Sequence, residues 1–330
     1  MKIGIPRALL YYNYYPAWKT FFESLGHEVV ISPKTDKKIL DDGVKLCIDD
    51  VCLPIKLYLG HVKNLIESSD ADTFFLPRFV GVEKKKYLCP KLFGLPNLVL
   101  NQFELSEEKI LSPTVDLTKK PLFFIKEVIN LGSKLNSNML QTIKAYNNAL
   151  ISQKNYKAKL LNGHLPLDIL ENKAYDDNNI KNEAYDYDLS QTKVAVLGHS
   201  YNINDEFINH NLIEKLRESK VKPITTDMIS EELKAQGLKK LEKPIFWTFG
   251  KEIIGSVYSN LINEDVDGVI LVVSFGCGPD SLINELVERE MKGSKIPLLM
   301  ITLDEHTGEA GINTRVEAFV EMIKRRKQAV

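Results

Sequence analysis

The sequence predicts two α/β domains, each a doubly wound parallel sheet, and three observations carry that expectation. Short apolar runs of strand length alternate with segments of helical period over residues 1–100 and again over residues 191–330. Strands that alternate with helices in this way need crossover connections, and crossovers make neighbouring strands parallel. At 330 residues the chain has room for about two domains of the usual ~150 residues. Between the two alternating regions lies a helical and then polar, Asn- and Asp-rich stretch, so the expected division is 1–120, a connector over 121–190, and 191–330.

Taken in order, Lys2–Ile5 reads as a strand, Ala17–Leu25 as a helix closing at Gly26, and His27–Ile31 as the next strand. Val44–Ile48, Thr73–Pro77 and Asn97–Leu100 are read as further strands, with Pro54–Glu67 as a helix. In the C-terminal region, strands are expected at Lys193–Leu197, Val221–Thr225, Gly268–Val273 and Pro297–Thr302. The helices expected around them are Asp205–Glu218, Ile229–Ala235, Trp247–Ile262, Asp280–Met291 and Gly311–Lys327. Two such domains would face each other across a cleft, and ligands of open α/β sheets bind outside the carboxyl ends of the strands.

Lys and Arg total 43 against 44 Asp and Glu, a net charge of -1 that argues against nucleic acid or a membrane surface recognised through bulk charge. No apolar run approaches the roughly 18 residues of a membrane helix, and the N-terminus has no signal-peptide core, so a cytoplasmic location is expected. In that compartment thiols stay reduced, which makes the 4 cysteines core residues, metal ligands or catalysts rather than disulfides.

Cys52 stands in Cys-Leu-Pro-Ile-Lys, Cys89 in Leu-Cys-Pro-Lys, and Cys277 in Gly-Cys-Gly-Pro-Asp-Ser. Each falls where a strand is expected to give way to a loop or helix, and each is followed within two residues by proline. Proline is favoured in the first helical turn, so Cys52 and Cys277 are expected at helix N-caps, where free N–H groups stabilise a thiolate. Gly276 and Gly278 would let the backbone approach a bulky ligand and donate amides to it. A lone cysteine is most often a small buried hydrophobe. Three independent placements of this kind make packing a poorer explanation. Cys47 differs, since it lies inside an expected apolar strand, and is read as core, with a fourth ligand as the alternative because its five-residue spacing could bring it near Cys52.

Three thiolates on separate loops point to a metal or cluster. The paired Cys-x₂₋₄-Cys spacing common in zinc sites is absent, although a zinc site from the same thiolates stays open. Iron–sulfur clusters accept widely separated thiolates, and three on a [4Fe–4S] cube leave one iron open as a Lewis acid.

At these residues the sequence resembles a known family. Cys52-Leu53-Pro54 with Lys56 and Gly60-His61, Pro77-Arg78, Leu88-Cys89-Pro90-Lys91, Gly276-Cys277-Gly278-Pro279-Asp280-Ser281 and the run Asp304 to Gly311 resemble the acyl-CoA dehydratase activase-related proteins. These lie within the 2-hydroxyacyl-CoA dehydratase and double-cubane cluster protein superfamily. The resemblance implies Rossmann-like domains with a [4Fe–4S] cluster in the cleft between them, Cys52, Cys89 and Cys277 as its metal ligands, and Gly276 and Gly278 beside it. It also implies a separate ATP-hydrolysing activator as electron donor. The chain carries no Gly-x-x-x-x-Gly-Lys-Ser/Thr loop of its own, and 4 cysteines are too few for a double cubane.

Candidates for acid–base work are His61, in the Pro54 helix, and Glu305 with His306, in the loop after the last strand. A packing role for His61 and a helix-capping network around Glu305, His306 and Glu309 are the competing readings. Arg78 and Arg315 are read as pairing with neighbouring acids, with a substrate carboxylate or phosphate as the alternative, and Gly198-His199-Ser200-Tyr201 as a weak phosphate-turn resemblance. Two functions are carried forward. One is an enzyme that takes low-potential electrons for reductive or radical chemistry on a small molecule or acyl thioester, such as 2-hydroxyacyl-CoA dehydration. The other is a non-catalytic electron carrier or scaffold subunit; a homodimer fits either.

Overall fold

The computed structural model describes residues 1–118, 121–171 and 192–328, and the chain divides into two compact units. The first comprises residues 1–157 with 246–248, and the second residues 158–245 with 249–330.

The first unit runs β1 (Lys2–Ile5), α1 (Tyr11–Ser24), β2 (Glu28–Ile31), α2 (Lys37–Lys45), α3 (Leu53–Ser68) and β3 (Thr73–Phe75). It continues through β4 (Arg78–Gly81), α4 (Pro90–Gln102), β5 (Ile110–Leu111), β6 (Thr114–Asp116), α5 (Pro121–Lys134) and α6 (Met139–Leu161), whose last turn passes into the second unit. Strands β2-β1-β3-β5 form a parallel sheet, and β4 and β6 a separate parallel pair. The core beneath the sheet is aromatic: Phe22 and Trp18 of α1 meet Phe75 edge-on at 4.9 and 5.3 Å.

Two expected strands are helical here. Val44 and Lys45 end α2, which Asp36 opens by accepting the Ile39 N–H at 2.7 Å. Period-2 hydrophobicity over so short a run cannot outweigh a capped helix whose Ile39 and Gly43 pack on α3. At Gly43 a Cβ would lie 1.9 Å from the Lys56 carbonyl, so glycine is what lets these helices touch. Asn97–Leu100 belongs to α4, which Pro90 starts in the first turn.

Residues 121–134 and 139–157 group with the first unit. One cause is Pro16 within α1, which has no N–H for the Tyr12 carbonyl one turn earlier. Tyr156 of α6 donates its hydroxyl to that carbonyl at 2.6 Å, and Gln153 donates to the Asn13 carbonyl at 2.7 Å. The polar part of the expected connector, 172–190, lies outside the described residues.

The second unit comprises α7 (Pro166–Leu170), β7 (Lys193–Gly198), α8 (Ser200–Asn204), α9 (Leu212–Glu218), β8 (Lys222–Thr225) and α10 (Glu231–Leu238). It ends with α11 (Thr248–Asn263), β9 (Gly268–Ser274), α12 (Gly278–Met291), β10 (Leu298–Leu303) and α13 (Glu309–Gln328). Its parallel sheet has the order β10-β9-β7-β8, and every residue of β9 is buried. The single helix expected over Asp205–Glu218 is shortened to α9, because His210 and Asn211 take left-handed φ of 54° and 57°. The two sheets share one topology, in which the first and third strands in sequence lie side by side at the centre. This is the doubly wound, Rossmann-like arrangement, and its switch point falls between those two strands. Among the described residues no helix is long and apolar enough to cross a membrane.

Candidate functional site

In the first unit, Cys52 is the N-cap of α3 and Cys89 the N-cap of α4, each with extended-type ψ, of 146° and 132°. Prolines in the first turn of both helices explain the sharp starts, since a missing N–H costs nothing there. The two N-caps meet around Lys91, in the first turn of α4, whose ammonium lies 3.7 Å from Cys52 Sγ. Burial pushes the Cys52 thiol up; Lys91 and the Ile55 N–H pull it down without overcoming that, and nearby Cys89 adds to the upward shift. The thiolate-stabilising cap expected at Cys52 is therefore outweighed by desolvation.

Lys56, almost wholly buried, donates its ammonium to the Asp49 carbonyl at 3.1 Å and so fixes the loop that leads into Cys52. Cys47 lies in that loop, half-buried, and not in a core strand as expected. With α2 ending at Lys45, nothing carries Cys47 into the sheet.

His61 is completely buried, with Nδ1 2.9 Å from Ser32 Oγ and Nε2 3.0 Å from Thr35 Oγ1. Desolvation, with a smaller contribution from Arg7, drops its pKa to about 3. Both ring nitrogens are occupied and the ring stays neutral, so His61 ties α3 to the segment after β2 and is unsuited to the acid–base role considered from sequence. Arg78 also fastens structure: it donates to the Phe93 carbonyl at 3.0 Å and to Asn97 Oδ1 at 2.7 Å, and lies 4.9 Å over the Phe93 ring.

In the second unit, Cys277 is the N-cap of α12, directly after β9. Gly276 takes φ of 71°, which favours glycine, and a Cβ built on Gly278 would meet nothing within 4 Å. The backbone beside Cys277 is thus open at Gly278. On its inner side the thiol faces a buried ion pair. Asp280 receives the Ser274 N–H at 3.1 Å and lies 2.7 Å from His199 Nε2, with both side chains almost fully buried. Burial works against charge on both partners, but their mutual attraction wins: His199 is held above the usual imidazole range and Asp280 below the usual carboxylate range. His199 stacks on Tyr201 with ring centroids 4.9 Å apart. Each of His199, Cys277 and Asp280 offers a ligand atom within 4.8 Å of the others, a set able to hold a metal ion.

The sequence reading did not single out His199 and Asp280 as a pair. His199 follows β7 and Cys277 follows β9, the two central strands, so the switch-point rule applied to the strand order was the signal that would have joined them.

The loop after β10 is organised by Asp304 and Thr307. The Thr307 hydroxyl lies 2.9 Å from Asp304 Oδ1, to which the His306 N–H also donates at 2.9 Å, and Glu309 pairs with Lys215 at 3.0 Å. The His306 side chain is exposed and Glu305 half-buried. These contacts organise the turn that leads into α13. Arg315 donates to the Met300 carbonyl.

Two family profiles match the chain. A family profile described as the 2-hydroxyglutaryl-CoA dehydratase, D-component, matches residues 211–323, which include Cys277 and Asp280. No curated protein matches the chain. The profile of the CoA enzyme activase uncharacterised domain (DUF2229) matches residues 2–229, within the same superfamily, and the chain therefore belongs to that family.

Proposed function

We propose that this chain is an iron–sulfur protein of the 2-hydroxyacyl-CoA dehydratase system, with Cys52, Cys89 and Cys277 as the ligands of a [4Fe–4S] cluster. The observation that carries the reading is the meeting of two helix N-caps, Cys52 and Cys89, around Lys91 in a single unit. The donor set suits the group: soft thiols stand at helix starts, with an ammonium at one and open backbone beside Cys277. Held by these thiols, such a cluster would supply Lewis acidity and single-electron transfer at low potential. The chain's own residues have narrower tasks. Lys91 offsets negative charge at Cys52, Lys56 fixes the approach to it, Gly276 turns the backbone ahead of Cys277, and Gly278 leaves open space beside it. A separate ATP-hydrolysing activator serves as electron donor, and the substrate is a small acyl thioester.

The test is reduction. Protein reconstituted anaerobically and mixed with an ATP-hydrolysing activator should show an ATP-dependent EPR change, followed by dehydration of a 2-hydroxyacyl thioester. A loaded protein that the activator never reduces would contradict the proposal, while reduction without turnover would leave the electron-carrier role.

A further inference from the structure

The first unit contains a cavity of about 300 Å³, lined by aliphatic and aromatic side chains, among the latter Trp18, Phe75, Phe79, Phe124 and Tyr146. No cysteine lines it, and every lining residue belongs to the first unit. Its volume is twice the roughly 150 Å³ that accommodates a benzene ring, and it falls at the lower end of the range typical of ligand pockets. The lining is mostly apolar, so an apolar occupant gains by removing that surface from water.

The polar groups of the lining decide the occupant. Lys157, exposed at the rim, is the one charged residue among the described lining residues, and no carboxylate accompanies it. One helical turn earlier, Gln153 gives its amide N–H to the Asn13 carbonyl at 2.7 Å and leaves Oε1 buried without a partner. A buried acceptor of this kind favours a ligand that brings a donor. Lys157 favours one that brings a negative charge. The aromatic walls favour a ring, through edge-to-face contacts.

We propose that this cavity binds an aryl carboxylate of about a dozen non-hydrogen atoms that carries one hydroxyl or N–H donor, a size set by the cavity volume. The ring lies among Trp18, Phe79 and Phe124, the donor meets Gln153 Oε1, and the carboxylate pairs with Lys157. The site is independent of the cysteine assignment.

Calorimetric titration of the full chain with 3-(4-hydroxyphenyl)propionate tests it. One saturable site is expected, with tyramine, its cationic counterpart, binding at least tenfold more weakly. Lys157→Glu, a change at an exposed position, should weaken the carboxylate by tenfold or more and narrow or reverse that preference. Ala149→Phe, which fills the cavity from α6, should abolish binding, with circular dichroism confirming that the variant is folded. The proposal is overturned if the wild type shows no saturable binding, if both probes bind equally, or if neither variant alters binding.

Discussion

The two units use one sheet topology and place cysteines at helix N-caps in both, yet they surround those cysteines with opposite chemistry. In the first unit Cys52 is buried, with the Lys91 ammonium beside it. In the second, Cys277 stands over the buried Asp280–His199 pair. The difference follows from where the thiols enter the fold. Cys277 comes directly off a central strand, at the switch point, where the neighbouring strand supplies His199. Cys52 comes from a crossover lengthened by α2, so its neighbours are helix termini and its environment is set by desolvation. The same backbone rule thus delivers a thiol to a dry cationic setting in one case and to a polar network in the other.

The sharpest way to break the contrast is Asp280→Ala, which strands His199 in the interior. A loss of about 3–5 kcal/mol is expected by denaturant unfolding of the metal-free protein, because a buried charge loses its partner. Stability within ~1 kcal/mol of wild type would mean that the pair does not hold the second unit together.

Next comes Gly43→Ala in the first unit. The added methyl group overlaps the Lys56 carbonyl, and a loss of about 2–3 kcal/mol is expected from forcing α2 off α3. A wild-type melting temperature would refute that close packing.

A pH dependence separates the units further. His61 in the folded state has a pKa of about 3, below the ordinary 6.5, so beneath pH 6.5 the unfolded chain binds the extra proton. The stability this contributes is complete above pH 6.5 and is lost as pH falls towards 3. Between pH 6.5 and 5 the loss amounts to ~2 kcal/mol. Replacing His61 with Gln should flatten that part of the profile, and an unchanged slope would exclude His61 as its source.

The smallest effect is expected at Lys91. Lys91→Ala should change stability by under ~1 kcal/mol, since the ammonium is partly solvated. Alkylation of Cys52 should slow, because the thiol loses the one cation that lowers its pKa. Unaltered alkylation kinetics would remove Lys91 from the site.

Much of this was legible in the sequence, and the misses share a cause. The strands of the second unit were found within about two residues, since unbroken apolar runs such as Gly268–Ser274 are specific when both sheet faces are covered. Val44–Ile48 misled because its hydrophobic pattern was read without the Asp36 cap that commits the preceding residues to a helix. The N-caps at Cys52 and Cys277 were readable from the prolines beside them; the one at Cys89 was missed because the residues that follow it were read in part as a strand. The His61 environment was not, because Ser32 and Thr35 reach it from a distant segment. The same holds for the Asp280–His199 pair, 81 positions apart, which only the strand order brings together.

The central claim is that three particular cysteines, and not the fourth, hold one cluster. Anaerobic reconstitution followed by iron and sulfide analysis tests it most directly. About four irons and four sulfides per chain are expected for the wild type and for Cys47→Ala, as a single cubane requires. Clear loss of both is expected for Cys52→Ala, Cys89→Ala and Cys277→Ala. Full cluster content in any of these last three variants, or its loss in Cys47→Ala alone, would contradict the assignment.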